Sequence, residues 1–497
     1  MLRPEWGQTL ALTDGGQKAL YSLVREILHK HSRFFLVVAL AGLALRALFL
    51  LRFPAITPDS LVYADIAKNW LLHGVYGQTE LGQIVATDIR LPGYPVFLAA
   101  VFKIFGTELY RAAMVIQAFV DLGTCFVVAD LARRLFSQRA VKGAFLLAAF
   151  CPFLANYTAA ALTETLEVFF TALALDFAVA GLNDLDRFPS RAAGHYSRGS
   201  LWWGCGLSLG ACTLLRPDGG LLLAAVLAWL FWRLIRHSRE SGLTVPVIKA
   251  GIIVLIASLG PLVPWTVRNL RTLHQLQPLT PRYNNEPGTY VPMGFNRWVR
   301  TWVADYVSNE EVYWMVPGSV IDADNLPSRA FDSPEQRDQT EQLLDDYNHQ
   351  LEVDPAIDAR FAALASQRIH AAPLRYYVWL PALRIASMWL RPRTELLPCN
   401  PRWWEFDDYR KWLLLSTGLG AFNLLYVGAA CLGLVRGRIA PHLGLLILFV
   451  LFRTAFLGTL ENPEPRYTLE CYPVVIVLAS ALFRGYGRTR SGCSASG

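Results

Sequence analysis

Charge is scarce in this chain, and paired cysteines are absent. Only 17% of its 497 residues are Asp, Glu, Lys or Arg, too few for a soluble multidomain protein of this length. Its eight cysteines form no CxxC pair. Cys125, Cys151, Cys205, Cys212, Cys431 and Cys471 lie inside apolar runs, so neither a disulfide framework nor a zinc site is indicated. The nine histidines are scattered without metal-ligand spacing, so no cofactor is required and a divalent metal is not supported, although Asp and Glu side chains could hold one. There is no internal repeat with matching broken helices, the pattern of many transporters. There is also no basic stripe. The net charge of +7 comes from Lys and Arg set between apolar runs, which reports membrane topology and argues against a nucleic-acid partner. No small-residue cleavage site marks the first apolar run, which starts at Phe34 and is expected to be a retained helix.

What is abundant is apolar surface. Hydrophobic residues make up 54% of the chain and aromatics 12%, and several runs reach the ~20 residues needed to cross a bilayer core. The pattern predicts an all-α polytopic membrane protein with about ten spans, or about twelve if two shorter apolar helices also cross. Residues 1–33 read as an amphipathic segment on the cytoplasmic surface. Residues 34–269 form a transmembrane module whose first external loop is 53–95. Hydropathy then collapses, and 270–373 reads as an external mixed domain. Residues 374–411 hold an interfacial helix and loop; 412–485 complete the spans, and 486–497 form a cytoplasmic tail. Within the module, Gly93–Phe105 is expected to be a partly inserted helix, and Pro152 is expected to kink the third span. Arg133, Arg134, Arg187, Arg191, Arg198, Arg233, Arg236, Arg239, Arg436 and Arg438 mark the inner side.

That topology gathers distinctive polar residues on the outer side: Asp59, Arg90, Glu164, Arg216, Asp218, Arg268 and Arg466. Ionisable groups at membrane depth are costly unless paired or wet, so their convergence points to a site. Each has a plainer reading. Asp59 or Ser60 could cap the helix that follows Pro58. Glu164 sits where a helix dipole favours an acid. Arg216 and Arg268 could be snorkelling anchors. Asp121, Asp130 and Asp176 within apolar runs are expected to make interhelical polar contacts. The functional reading is chemical. A sugar on a polyprenyl phosphate already has a good leaving group, whereas an acceptor hydroxyl needs a base, which one carboxylate supplies. Guanidinium forks suit the phosphate and the charge that grows on it.

Several short motifs follow one another in order: Pro58-Asp59-Ser60 with Tyr63, Ala67 and Gly74; then Arg90-Leu91-Pro92-Gly93-Tyr94-Pro95. Thr163-Glu164-Thr165, Leu215-Arg216-Pro217-Asp218, Pro264-Trp265 with Arg268-Asn269, and Pro465-Arg466-Tyr467 come after. The series resembles the GT-C superfamily of integral-membrane glycosyltransferases, in the branch related to protein O-mannosyltransferases and aminoarabinose transferases. It covers Arg46–Asn269 well, the last three helices loosely, and hardly informs 270–410. The resemblance implies a GT-C type bundle and an inverting hexosyl or pentosyl transfer on the outer face. The donor would be a polyprenyl-phosphate sugar; the acceptor would be a hydroxyl or amine on a glycan, lipid or protein. It makes Asp59 the base; Glu164, from its place at an outer helix end, is the second catalytic candidate. Arg90, Arg268, Arg466 and Arg216 would bind donor phosphate, and Tyr63, Tyr94, Asp218 and Asn269 would line the substrate pocket. Many relatives carry an acidic pair where this chain has Asp59-Ser60, which adds weight to Asp59. Short loops favour a bacterial inner membrane with the site facing the periplasm. The alternatives are a ligase using a lipid-diphosphate-linked glycan and a transporter or flippase of lipid-linked saccharide.

Overall fold

The computed structural model describes residues 14–136, 138–186, 199–236, 243–283, 285, 288–437 and 440–483, with side chains of 14–30 and 138 left aside. The expected amphipathic face before residue 31, the basic residues Arg187, Arg191, Arg198, Arg239 and Arg438, and the tail lie outside this description.

The first long helix, α1 (Asp14–Arg52), is broken at His31, so its apolar part starts where the hydrophobic run does. It delivers the chain to α2 (Pro58–His73), whose start and stop are both written locally. Thr57 caps it reciprocally with Ser60, Pro58 opens it, and Gly74 ends it at φ 71°. An antiparallel hairpin follows, β1 (Gly77–Glu80) with β2 (Gln83–Ala86). Leu81 and Gly82 both take positive φ at its turn, the requirement of a type I′ hairpin. These strands are the only sheet among the described residues.

The helix α3 (Gly93–Phe105) has the bounds the apolar run predicts. Gly93 is required by contact: a Cβ there would lie 2.6 Å from the Leu214 carbonyl oxygen. That close approach packs the first loop against the helix end at Leu214–Leu215, beside Arg216.

The bundle continues with α4 (Tyr110–Leu135), α5 (Gln138–Ala149), α6 (Pro152–Tyr157), α7 (Glu164–Asp186), α8 (Gly199–Leu215), α9 (Gly220–Arg236), α10 (Thr244–Leu259) and α11 (Leu262–Thr272). The third span is interrupted at Phe150–Cys151, just before Pro152, where a kink was expected. After the external unit come α15 (Leu380–Leu390), α16 (Arg410–Gly437), α17 (Leu443–Gly458) and α18 (Tyr472–Ser480). One continuous apolar core joins α1, α4–α10 and α16–α18. Leu36, Leu40, Leu432 and Val435 point outward instead, as lipid-facing side chains do.

Seven helices among the described residues are long and apolar enough to cross a membrane. The other three expected spans are the interrupted α5–α6, the 17-residue α8 and the 16-residue α17. The protein is a multi-pass, all-helical membrane protein. The buried acids pair as expected of interhelical contacts: Asp121 with Arg46 at 2.6 Å and Asp176 with Arg134 at 2.7 Å. Asp130 pairs within its own helix, with Arg133 and Arg134.

Between α11 and α15 lies a separate core built on α12 (Met293–Arg300), α13 (Pro334–Gln350) and α14 (Pro355–Ala371). Trp298, Trp302, Tyr347 and Phe361 are fully buried there. The unit is helical rather than mixed. Ser333 and Asp354 cap its two long helices, each followed by a proline. Arg384 of α15 is buried and donates to the carbonyls of Val303 and Gly458, tying this unit to α17. Just before α15, Leu374, Tyr377, Val378 and Trp379 are exposed, the composition of a helix that rests at a membrane surface.

Candidate active site

The capping pair Thr57–Ser60 leaves Asp59 free of any cap duty. From the first turn of α2 its carboxylate meets Arg90 Nη2 at 2.8 Å through Oδ1 and Arg466 Nη2 at 3.2 Å through Oδ2. Burial alone would push this carboxyl up, but the two guanidiniums outweigh it and hold it below the ordinary Asp range. Asp59 is therefore ionised at neutral pH.

An alternating run of charge continues from that carboxylate. Arg466 Nε lies 3.8 Å from Glu164 and 2.7 Å from Glu464. Glu164, the first residue of α7, meets Arg216 Nη1 at 3.3 Å. Arg216, just past α8, reaches Asp218 at 3.3 Å, and Asp218 accepts from Arg453 at 3.0 Å. Six of the seven outer residues thus converge, brought from loops and helix ends far apart in sequence. Tyr467 supports the centre: the Arg216 guanidinium stands 4.7 Å over its ring.

Asp59, Arg216, Asp218, Glu464, Arg466 and Tyr467 line a cavity of about 1240 Å³ whose wall also includes Phe295, Tyr306 and Trp314 from the segment between α11 and α15. A smaller cavity, about 520 Å³, lies at the opposite end of α7 beside Asp186 and contains none of these residues.

Other expected site residues stand elsewhere. Arg90 reaches Asp59 without lining the cavity, its guanidinium 5.6 Å above the Tyr63 ring. Tyr63 packs edge-on against Tyr94 at 5.1 Å, and Tyr94 donates to Gln117 at 2.7 Å. Both tyrosines are buried support beneath Arg90, not pocket wall. Burial pushes the Tyr63 hydroxyl up to about 12.

Arg268 stands furthest from its expected place. It donates to the Thr87 carbonyl at 2.7 Å, to the Tyr76 carbonyl and to Asn269 Oδ1, and it stacks on Tyr76 and Trp265. Asn269 is buried and holds the Gln277 carbonyl at 2.7 Å. Arg268 fastens the first loop, Asn269 holds the segment that follows α11, and neither lines the cavity. Arg268→Ala is expected to cost about 2–3 kcal/mol of local loop stability, read as faster protease nicking between residues 74 and 90, with the bundle intact.

Sequence reasoning missed Glu464, Arg453, Glu395 and Tyr157. For Glu464 the signal was present: an acid two residues before Arg466, with Pro465 opening the 3-10 turn Pro465–Cys471 that holds the two side by side. Glu167 and Glu470 form a deeper buried acid pair around Arg453. Among the described residues no three His, Cys, Asp or Glu side chains are grouped as metal ligands.

Fold and charge arrangement together define a multi-pass membrane protein with a charged cavity lined by Asp59, Arg216, Asp218 and Arg466. Residues 90–265 match the family model described as dolichyl-phosphate-mannose-protein mannosyltransferase, so the chain is related to that family over the segment from Arg90 to Trp265. No curated protein sequence matches it. Among solved structures it is similar to the oligosaccharyltransferase AglB from Archaeoglobus fulgidus, in complex with an inhibitory peptide and a dolichol-phosphate. That likeness has 14% identity and a TM-score of 0.48, covering 92% of this chain and 50% of the archaeal one. The chain therefore spans half the length of that enzyme. It is also similar to ArnT from Cupriavidus metallidurans bound to undecaprenyl phosphate, at 13% identity and a TM-score of 0.34, covering 95% of this chain and 79% of that one.

Proposed function

We propose that this protein moves one sugar from a polyprenyl-phosphate carrier to an acceptor on the outer face of a membrane, with inversion at the anomeric carbon. The observation that carries the reading is the alternating run of charge that puts Asp59, Arg466 and Arg216 on the wall of a large cavity, with Glu164 buried behind them and joining the two arginines. The acceptor oxygen attacks the anomeric carbon while Asp59 takes its proton. The bond from that carbon to the phosphate oxygen breaks, and its electron pair leaves with the phosphate. Arg466 and Arg216 hold the anion and stabilise the charge that grows on it, work that pre-placed cations do in a site screened from water. Arg90 keeps Asp59 ionised and aimed.

A bacterial inner membrane with the site facing the periplasm fits this chemistry, since lipid-linked donors are presented there beside envelope acceptors. The positive charge needed on the phosphate is supplied by side chains, so activity is expected to survive chelation of divalent metals. The test is mass spectrometry of envelope glycans from cells with and without the protein. One sugar is expected to vanish with the protein and to return with its gene. Unchanged glycans would sink the reading.

A further inference from the structure

Arg216 and Arg453 share an acidic neighbourhood but stand in different places. Arg216 lines the cavity, whereas Arg453, on α17, is only 1% exposed and does not. Glu164, Glu167 and Asp218 lie 3.3, 3.4 and 3.3 Å from Arg216. Asp218, Glu470 and Glu167 lie 3.0, 2.8 and 3.9 Å from Arg453. Arg216 donates from Nε to Asp218 and from Nη1 to Glu164, and among the described residues its Nη2 donates to nothing. Arg453 also donates from Nε to the Tyr467 carbonyl at 2.9 Å. The Tyr467 ring is the surface over which Arg216 and Arg466 stand, at 4.7 and 5.4 Å. One buried side chain therefore touches two acid partners of Arg216 and the backbone of its aromatic support.

The electrostatic consequence is a division of labour. Asp218 gives Oδ1 to Arg216 and Oδ2 to Arg453, and Glu167 lies between the same two guanidiniums. A carboxylate already engaged by one cation attracts a second less strongly. Without Arg453, Asp218 and Glu167 would turn their whole charge on Arg216, and Glu470 would lose the cation paired with it. Arg216 would then be drawn toward the protein's own acids, and an incoming anion would have to compete with them.

We infer that Arg453 is a positioning residue for the phosphate site. By engaging Asp218, Glu167 and Glu470 it leaves Arg216 available to a phosphate that Arg453 itself never touches. The inference rests on the transferase reading above and adds to it the residue that controls one of its cations.

Binding of undecaprenyl phosphate to the purified full-length protein in detergent tests it. Arg453→Met is combined with Glu470→Gln, so that the net charge of the cluster is unchanged and Glu470 is not left as an unpaired buried ion. The double variant is expected to bind about ten-fold more weakly, the effect of losing one charged hydrogen bond to phosphate. Adding Asp218→Asn is expected to restore most of that affinity, because the acid that captures Arg216 is gone. A side chain that only supports folding would not be rescued by a third substitution at a neighbouring acid. If the double variant does not fold, Arg453→Lys takes its place. It keeps the charge but cannot span Asp218, Glu470 and the Tyr467 carbonyl together, so it too is expected to weaken binding and to be rescued by Asp218→Asn. Unweakened binding in the folded variant, or no rescue by Asp218→Asn, overturns the role of Arg453 and leaves the transferase reading standing. No binding by the unmodified protein overturns the phosphate site itself, and the inference with it.

Discussion

Asp59→Asn is expected to lower sugar transfer by about 10²–10⁴-fold, the usual contribution of a positioned general base. The substitution preserves shape and removes only the charge and the proton-accepting oxygen. Its structural cost is small, because Thr57 and Ser60 cap α2 without it and because Asp59's ion pairs are partly exposed, with 32% of its side-chain surface open. Exposed ion pairs contribute only about 0–1 kcal/mol each. The protein should therefore reach the membrane at its normal level and still retain the lipid donor, which separates loss of chemistry from loss of folding. The sign of the pH effect follows from the same contacts. Arg466 and Arg90 hold the Asp59 carboxyl below its ordinary range, so its base form persists as pH falls to the ordinary Asp value and is lost only below it. Any stability it contributes is present above that value and disappears on the same descent. Transfer by Asp59→Asn at near-normal turnover would show that another group takes the proton. Arg90→Ala is expected to act differently: it leaves the carboxylate in place, frees it to wander, and lets its proton affinity rise toward normal.

How much of this was legible in the sequence depends on whether the information is local. The bounds of α3 follow from Pro92 before it and Gly106 after it, and α2 carries its own cap and stop. The side of the membrane on which Asp59, Glu164, Arg216 and Arg466 emerge follows from the alternation of apolar runs and basic clusters, so their meeting could be foreseen. Distances could not. Arg268 and Asn269 lie at an outer helix end like the others, but the carbonyls of Tyr76, Thr87 and Gln277 claim them. The contacts of Arg268 depend on where the hairpin β1–β2 packs, and its weak alternation over four-residue strands gave no warning. The external unit is hidden for a related reason. Its core is made by a few widely spaced aromatics, Trp298, Trp302, Tyr347 and Phe361, whose meeting is a matter of tertiary packing.

Arg466 carries the second large effect. It bridges Asp59, Glu164 and Glu464 and lines the cavity, so it is both a cation in contact with the base and, unlike Arg90, one on the cavity wall. Arg466→Gln is expected to reduce transfer by about 10²–10³-fold, the cost of removing one charge-stabilising donor. Arg466→Lys should recover only part of this, because an ammonium supplies the charge without the planar fork that grips two oxygens. Equal activity of the Lys and Gln variants would mean that Arg466 merely neutralises its carboxylates. Glu464 gives an independent handle on the same residue. Burial, against the pull of Arg466 and with Glu395, Glu164 and Asp59 nearby, pushes its carboxyl up to about 7. Below that value Glu464 is neutral and Arg466 is relieved of one of its three carboxylate partners, which leaves more of its charge for phosphate. Above it the carboxylate forms and competes for the guanidinium. The donor KM is therefore expected to rise as pH passes upward through about 7 in the unmodified protein, and to stay flat there in Glu464→Gln. A rise that persists in the Gln variant would assign the titration to another group and remove Glu464 from control of the phosphate site.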